Sequence, residues 1–327
     1  MRYSAAEKRE IIHLVEHSDL SVTQTLAELG VPRSSFYRWY QRFEENGLAG
    51  LGSKPSQEKR FWNRIPESVR EQVVALALEY PDQSSRQLAW QFTDENGYFI
   101  SESSVYRILK ADDLLENPAF EIISVKDKFE KPNRRVNEMW QTDFTQFKIL
   151  GWGWYYLSTV LDDYSRYILA WKLTPTMNTQ DVQDTLEVAL AKAGIEKVKV
   201  RHKPRLLSEA GPCYLSRDLE AFLEDRHLQH IRSAPYHPMT QGKIERYHRS
   251  MKNVVKLRNY YYPWELEQSI QAFVEYYNHE RYHEALENLT PVDVYSGKSE
   301  QILSRREKIK QQTLQKRRQF NLQMAPV

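Results

Sequence analysis

The feature that most constrains this chain is a change of hydrophobic period near residue 136. Up to about residue 115, apolar residues recur at helical spacing in two successive clusters; from Trp140 onward the pattern turns alternating and aromatic. Helical modules followed by a sheet-containing domain satisfy both patterns, and 327 residues suffice for two or three domains, each with its own core. Proline, glycine, serine and charge runs mark the joints, giving linkers over 51–65 and 116–135.

The first cluster, residues 1–50, reads as a helix-turn-helix. Ile11, Ile12, Leu14 and Val15 form one helix face, and Ser21 with Gln24 is a capping-box pair opening a second helix with Leu26 and Leu29 inward. Gly30-Val31-Pro32 makes the turn into a third helix, Arg33 to Phe43, with Phe36, Trp39 and Tyr40 on its core side. Arg33, Ser34, Ser35, Tyr37 and Arg38 are left mostly outward, a set suited to phosphates and base edges in a major groove. On this segment alone, a three-helix bundle that binds protein fits as well. Residues 66–115 repeat the pattern, with Val105, Ile108 and Leu109 packed and Arg107 outward on the last helix. Two such units in tandem favour a bipartite DNA reader.

Beyond the second linker, Trp140–Leu150, Trp154–Leu161 and Tyr167–Leu173 are expected to be strands, turning at Gly151-Trp152-Gly153 and Asp162-Asp163-Tyr164-Ser165. Helices over Thr179–Ala193, Leu215–Asp225, Gln241–Arg258 and Glu265–Asn278 follow, with short strands at Arg205–Ser208 and His230–Ser233. Three antiparallel strands and then alternating helices and strands is the order of a ribonuclease H-like core, though other α/β topologies share it. The fold class expected is therefore α/β, with two all-α modules in front of a core over 136–296 and a basic tail over 297–327.

Net charge is only +2, so overall balance does not point to a polyanion; local charge does. Gln241 to Tyr260 holds six basic residues and one acid, Glu245, and Lys298 to the C-terminus holds eight basic residues and two acids. Either stretch alone also fits a solvated helix face. The single cysteine, Cys213, excludes an internal disulfide and a cysteine-only zinc site. No run of apolar residues is long enough to span a bilayer, and the first residues lack the pattern of a secretory signal.

Phosphodiester cleavage without a covalent enzyme intermediate calls for two divalent ions roughly 3.5–4 Å apart. Hard ions such as magnesium take oxygen ligands. Such a chain should carry acids where packing alone would not put them. Asp143 lies inside the first expected strand, where an unpaired charge is costly, and Glu245 is the lone acid of a basic helix. Each has an ordinary alternative: a strand-end acid facing water, or a salt bridge to Lys243, Arg246 or Arg249.

The run Ala234-Pro235-Tyr236-His237-Pro238 through Gly242-Lys243-Ile244-Glu245-Arg246 resembles the last catalytic motif of bacterial insertion-sequence transposases in the retroviral integrase-like superfamily, particularly the insertion-sequence-three group. Trp140-Gln141-Thr142-Asp143 resembles the first motif of that family, Val160 to Arg166 its strand turn, and Tyr277 to Pro291 its closing element. The Leu29 to Trp39 pattern matches its helix-turn-helix. The resemblance implies a catalytic and metal-binding set of Asp143, Glu209 and Glu245, which would hold two magnesium or manganese ions. Glu209 stands at the family's spacing from Glu245, but the family has aspartate there. The longer side chain moves the carboxylate by roughly 1.5 Å, where catalytic groups are held to about 0.5 Å.

The resemblance further implies cleavage and strand transfer at an element's terminal repeats, joining to target DNA, and a homo-oligomer on DNA in the bacterial cytoplasm, associated with the nucleoid. Lys243, Arg246 and Arg249 would then neutralise phosphates. The rival reading is a transposase-derived DNA-binding protein impaired in catalysis by Glu209. A nuclease acting on hybrids would need neither helix-turn-helix unit. His279-Glu280-Arg281-Tyr282-His283 matches a zinc-protease pattern, but that pattern has three fixed positions only and needs one helix through both histidines and a third ligand.

Overall fold

The computed structural model describes residues 3–18, 20–52, 62–115, 133–195, 203–232 and 241–323. Most of both expected linkers, the Ala234–Thr240 half of the last motif and the end of the tail lie outside these residues. The chain divides into two compact units, Met1–Arg64 and Ile65–Val327.

The first unit contains α1 (Ala5–Glu16), α2 (Val22–Glu28) and α3 (Arg33–Leu51). Capping boxes start α1 and α2: Ser4 exchanges hydrogen bonds with Glu7, and Ser21 with Gln24. Ile11, Ile12, Val15, Leu26, Val31, Phe36 and Leu51 form the core. Leu14 and Leu29, expected inward, are 46% and 37% exposed. The apolar stripe of α1 is no wider than Ile11, Ile12 and Val15, and Leu29 is the residue on which α2 stops. The third helix runs past Phe43 to Leu51, with a kink at Gly47.

The second unit opens with α4 (Glu67–Glu79), α5 (Ser85–Asn96) and α6 (Glu102–Ala111), packed on Val73, Leu88, Phe92, Ile100, Val105 and Ile108. A five-stranded sheet follows: β1 (Met139–Ile149), β2 (Gly153–Asp162), β3 (Ile168–Thr174), β4 (Arg205–Ser208) and β5 (Gln229–Arg232), in the order β3-β2-β1-β4-β5. The first three strands are an antiparallel meander, whereas β4 pairs parallel to β1 and β5 parallel to β4. The β1–β2 turn needs left-handed backbone at Gly151 and Gly153, whose φ values are 79° and 91°.

Helices cover both faces. On one, α7 (Thr179–Ala193) and α8 (Arg217–Asp225) bury Val182, Leu186 and Leu219 against Trp140, Val160 and Leu206. On the other, α9 (Gly242–Val255) and α10 (Pro263–His279) bury Ile244, Tyr247, Met251 and Ile270 against Phe147, Ile149, Leu157 and Ile168. This is the ribonuclease H-like α/β arrangement expected from the order of elements.

The chain ends in α11 (Pro291–Tyr295) and α12 (Ser299–Gln323). The basic tail is thus a long helix, and one face of it is buried: Arg306, Thr313 and Arg317 are 4%, 2% and 4% exposed. Arg306 donates to both carboxylate oxygens of Asp94 on α5 at 2.9 and 2.6 Å, and lies over the Trp90 ring. Arg317 donates to the Tyr98 hydroxyl and to the Phe99 carbonyl, and the Phe99 N–H donates to Thr313 Oγ1. Gln87 of α5 also reaches the Tyr276 hydroxyl of α10 at 3.1 Å. These contacts explain why α4–α6, expected as a module set apart by a linker, share one compact unit with the sheet.

Candidate active site

Alternation along β1 puts Asp143, Phe147 and Ile149 on one face, toward α9. On α9, Glu245 and His248 are one turn apart and therefore lie on the same side. His248 Nδ1 is 3.4 Å from Asp143 Oδ2, and the other Asp143 oxygen accepts the Phe144 N–H at 2.8 Å. Glu209 follows the last residue of β4, the parallel neighbour of β1, so the sheet itself brings it toward Asp143. Partial burial, and then the negative charges of Asp143 and Glu245, hold the Glu209 carboxyl above its ordinary range. Asp143 and Glu245 thus lie near enough to Glu209 for their charges to act on it.

The donor chemistry suits a hard divalent cation: all three groups are carboxylates, and their mutual repulsion is what a cation relieves. Among the described residues, however, no three His, Cys, Asp or Glu side chains are gathered closely enough to enclose an ion as they stand. The acids share a neighbourhood but not a finished coordination sphere.

A hydrogen-bond hub fixes α9 against β1. Gln141 Nε2 donates to Asp163 Oδ1 at 2.7 Å, and Gln141 Oε1 accepts the Ile244 N–H at 3.1 Å. Lys243 Nζ donates to the Asp163 carbonyl at 2.8 Å and to Asp163 Oδ2 at 2.7 Å. Asp163 is 2% exposed. One side chain from each of three sequence motifs therefore meets at a buried carboxylate, and the join sets the first turn of α9, which carries Glu245. Lys243, expected to face phosphates, is committed inward to this ion pair. Asp162 plays the hairpin-capping part expected of it: it accepts from the Ser165 N–H and hydroxyl and from the Asn137 N–H. Its deep burial pushes its carboxyl pKa upward.

The groove beside these acids has a volume of about 800 Å³ and is lined by Asp143, Thr145, Glu245, His248, Arg249 and Lys252, continuing to Lys256 and Leu257. Burial and the nearby Lys256 charge lower the Lys252 amine from its ordinary value, against the pull of Asp143. Arg246 and Arg249 are both exposed on α9. Of the residues expected to read DNA, Arg33, Ser34, Tyr37 and Arg38 are exposed on α3 and Ser35 is half-buried. Arg107 is exposed on α6, its Nε donating to the Ser103 carbonyl at 2.9 Å. The zinc-protease match fails on geometry: α10 ends at His279, so the two histidines do not share a helix.

His248 and the Gln141–Asp163–Lys243 hub went unnoticed in the sequence. The one-turn spacing of His248 from Glu245 was a usable signal. For the hub there was none, because its members lie 22 and 80 residues apart.

The family description "Integrase core domain" matches residues 133–238 and 226–291, and "Homeodomain-like domain" matches 2–52 and 35–109. The transposase of transposon Tn552 from Staphylococcus aureus is 25% identical over 272 residues, covering 75% of this chain and 55% of that protein. The putative transposase InsK of insertion sequence element IS150 from Escherichia coli is 27% identical over 162 residues, 49% of this chain and 54% of that protein. The chain thus spans about half the length of each of these two relatives. Among solved structures, the HTLV-2 integrase catalytic core domain in complex with magnesium aligns at 18% identity and a TM-score of 0.38, over 49% of this chain and 97% of that one. The chain thus carries an integrase core domain over the sheet and the carboxylates, with homeodomain-like domains before it, and is similar to the transposases of transposon Tn552 and insertion sequence IS150.

Proposed function

We propose that the protein binds the ends of a DNA element and cuts and joins DNA strands there, with Asp143, Glu209 and Glu245 as the metal-binding catalytic set. The observation that carries this reading is that Asp143 and Glu245 line one basic groove, with Glu209 at the end of the strand paired to β1. Magnesium or manganese, two ions, would be held by these carboxylates; when bound, they would activate the attacking oxygen and stabilise the leaving one. The chain's own residues do the rest. The Asp163 hub orients Glu245, His248 braces Asp143, and Arg249 with Lys252 offers charge to the phosphates of a bound strand. The exposed faces of α3 and α6 are the proposed readers of terminal repeats, and a homo-oligomer would hold two ends together.

The substitution at 209 favours a second reading, a DNA-binding relative that cuts poorly. A strand-transfer assay in magnesium and in manganese separates the two. We expect measurable joining by the natural chain, abolished by Glu245→Gln, and a gain of tenfold or more from Glu209→Asp. Joining by the Glu209→Asp variant alone would make the natural chain a binder. Unchanged joining in Glu245→Gln would remove the carboxylate set altogether.

A further inference from the structure

Strand β1 is longer than its neighbour on one side. It pairs with β2 over its whole length, but with β4 only over Met139–Gln141. From Thr142 onward its other edge has no strand beside it among the described residues, and the groove is lined there by Asp143, Phe144 and Thr145. The opposite wall is α9 and the residues after it, from Glu245 to Leu257. At 1.5 Å per residue this wall is about 18 Å long, the length of a few nucleotides. Arg249, Lys252 and Lys256 repeat along it at helical spacing.

The groove's lining ends at Leu257, three residues before Tyr260 on the α9–α10 connection. The Leu150 N–H of the β1–β2 turn donates to the Tyr260 carbonyl at 3.3 Å, joining the hairpin tip to the α9–α10 connection. Next to that junction in the chain Trp152, Tyr262 and Trp264 are 56%, 52% and 55% exposed. The Tyr262 and Trp264 rings are within 18° of parallel. Large apolar faces left in water at one place mark a binding surface. Two features point to nucleic acid as the occupant. Protein interfaces are depleted of charge at their centre, whereas Lys256 and Arg258 stand exposed on the stretch that leads to Tyr262 and Trp264. Aromatic faces next to a cationic track are also the means by which single strands are held, the phosphates on the track and the bases on the rings.

We propose that the groove carries one DNA strand away from the carboxylates, and that Trp152, Tyr262 and Trp264 stack on its unpaired bases. Paired bases inside a duplex have their faces covered, so the ligand is a frayed or single-stranded segment. The inference rests on the DNA-processing reading above but is read out by binding, without metal or cleavage.

The test titrates the full chain, in a chelator, with a labelled twelve-nucleotide oligothymidine and with a blunt duplex. We expect Tyr262→Ala/Trp264→Ala and Trp152→Ala each to lose at least about fivefold in oligothymidine affinity per stacked ring removed, by the usual worth of one base–aromatic stack. Duplex affinity should stay within about twofold, and Trp264→Phe should keep most of the single-strand affinity. Lys252→Ala/Lys256→Ala should flatten the salt dependence by about 0.7 in log–log slope for each phosphate left without its cation. Unchanged oligothymidine affinity in both aromatic variants would overturn the proposal. So would aromatic variants that turn an oligomer into a monomer in sedimentation while still binding oligothymidine, since the patch would then be a protein interface. A chain that joins no DNA yet needs these rings for oligothymidine would sink the catalytic reading and leave this one standing.

Discussion

Lys243 shows how one side chain can be read in two ways. Its side chain is 17% exposed and its amine pairs with the Asp163 carboxylate, whose side chain is 3% exposed, so removing it leaves a buried charge short of a partner. We predict that Lys243→Met lowers stability by about 3 kcal/mol in denaturant titration, with the salt dependence of DNA binding unchanged. A stable variant that binds DNA with a shallower salt slope would return Lys243 to the phosphates. His283 carries a pH prediction. Burial, and then the charges of Arg281 and Arg166, depress its pKa to about 3, and its Nε2 has no partner among the described residues. In an unfolded chain it titrates near 6.5, so between those values the unfolded state binds the extra proton. Stability is full above about pH 6.5 and falls as pH drops toward 3, by up to about 1.4 kcal/mol per pH unit. His283→Phe should narrow the difference between denaturation midpoints at pH 7 and pH 5; an identical difference would contradict the assignment.

Among the elements, α12 departs most from its composition. Its overall basicity suggests a tail for DNA or assembly, yet Arg306 and Arg317 are spent on Asp94, Tyr98 and Phe99. Arginine suits this use because its planar guanidinium stacks on rings while donating in its own plane. The Arg306 guanidinium lies 4.5 Å from the Trp90 ring centroid. Arg306→Ala should therefore destabilise the unit by about 3–5 kcal/mol, by leaving Asp94 without its bidentate partner. Hydrogen exchange would report it as weakened protection in α5 and at Phe99 and Ile100. Protection weakened evenly over the whole chain would argue against a local clamp.

At the scale of the molecule, the two compact units present α3 and α6 separately, each with basic residues outward. If both read DNA, Arg38→Ala and Arg107→Ala should each weaken binding to the cognate end by about 1–3 kcal/mol where they contact bases. Where they contact phosphate they should instead weaken all sequences alike. Gel-shift titrations against cognate and scrambled ends decide this, and no effect on either would place recognition elsewhere. Among the described residues no helix is long and apolar enough to cross a membrane.

Periodicity and caps are local, so they could be read directly: Ser21 starts α2 by bonding Gln24 three positions on, and β1 to β3 follow from alternation over a few residues. The motifs around Asp143 and Glu245 were legible for the same reason. Partnership between distant residues was not. Whether a lysine or arginine faces phosphate or a buried aspartate depends on which surface folds onto it. Composition is the same in either case, and only tertiary packing chose the inward role for Lys243, Arg306 and Arg317. The same holds for Glu209, whose sequence position announced a changed ligand, while its approach to Asp143 came from the parallel pairing of β4 with β1.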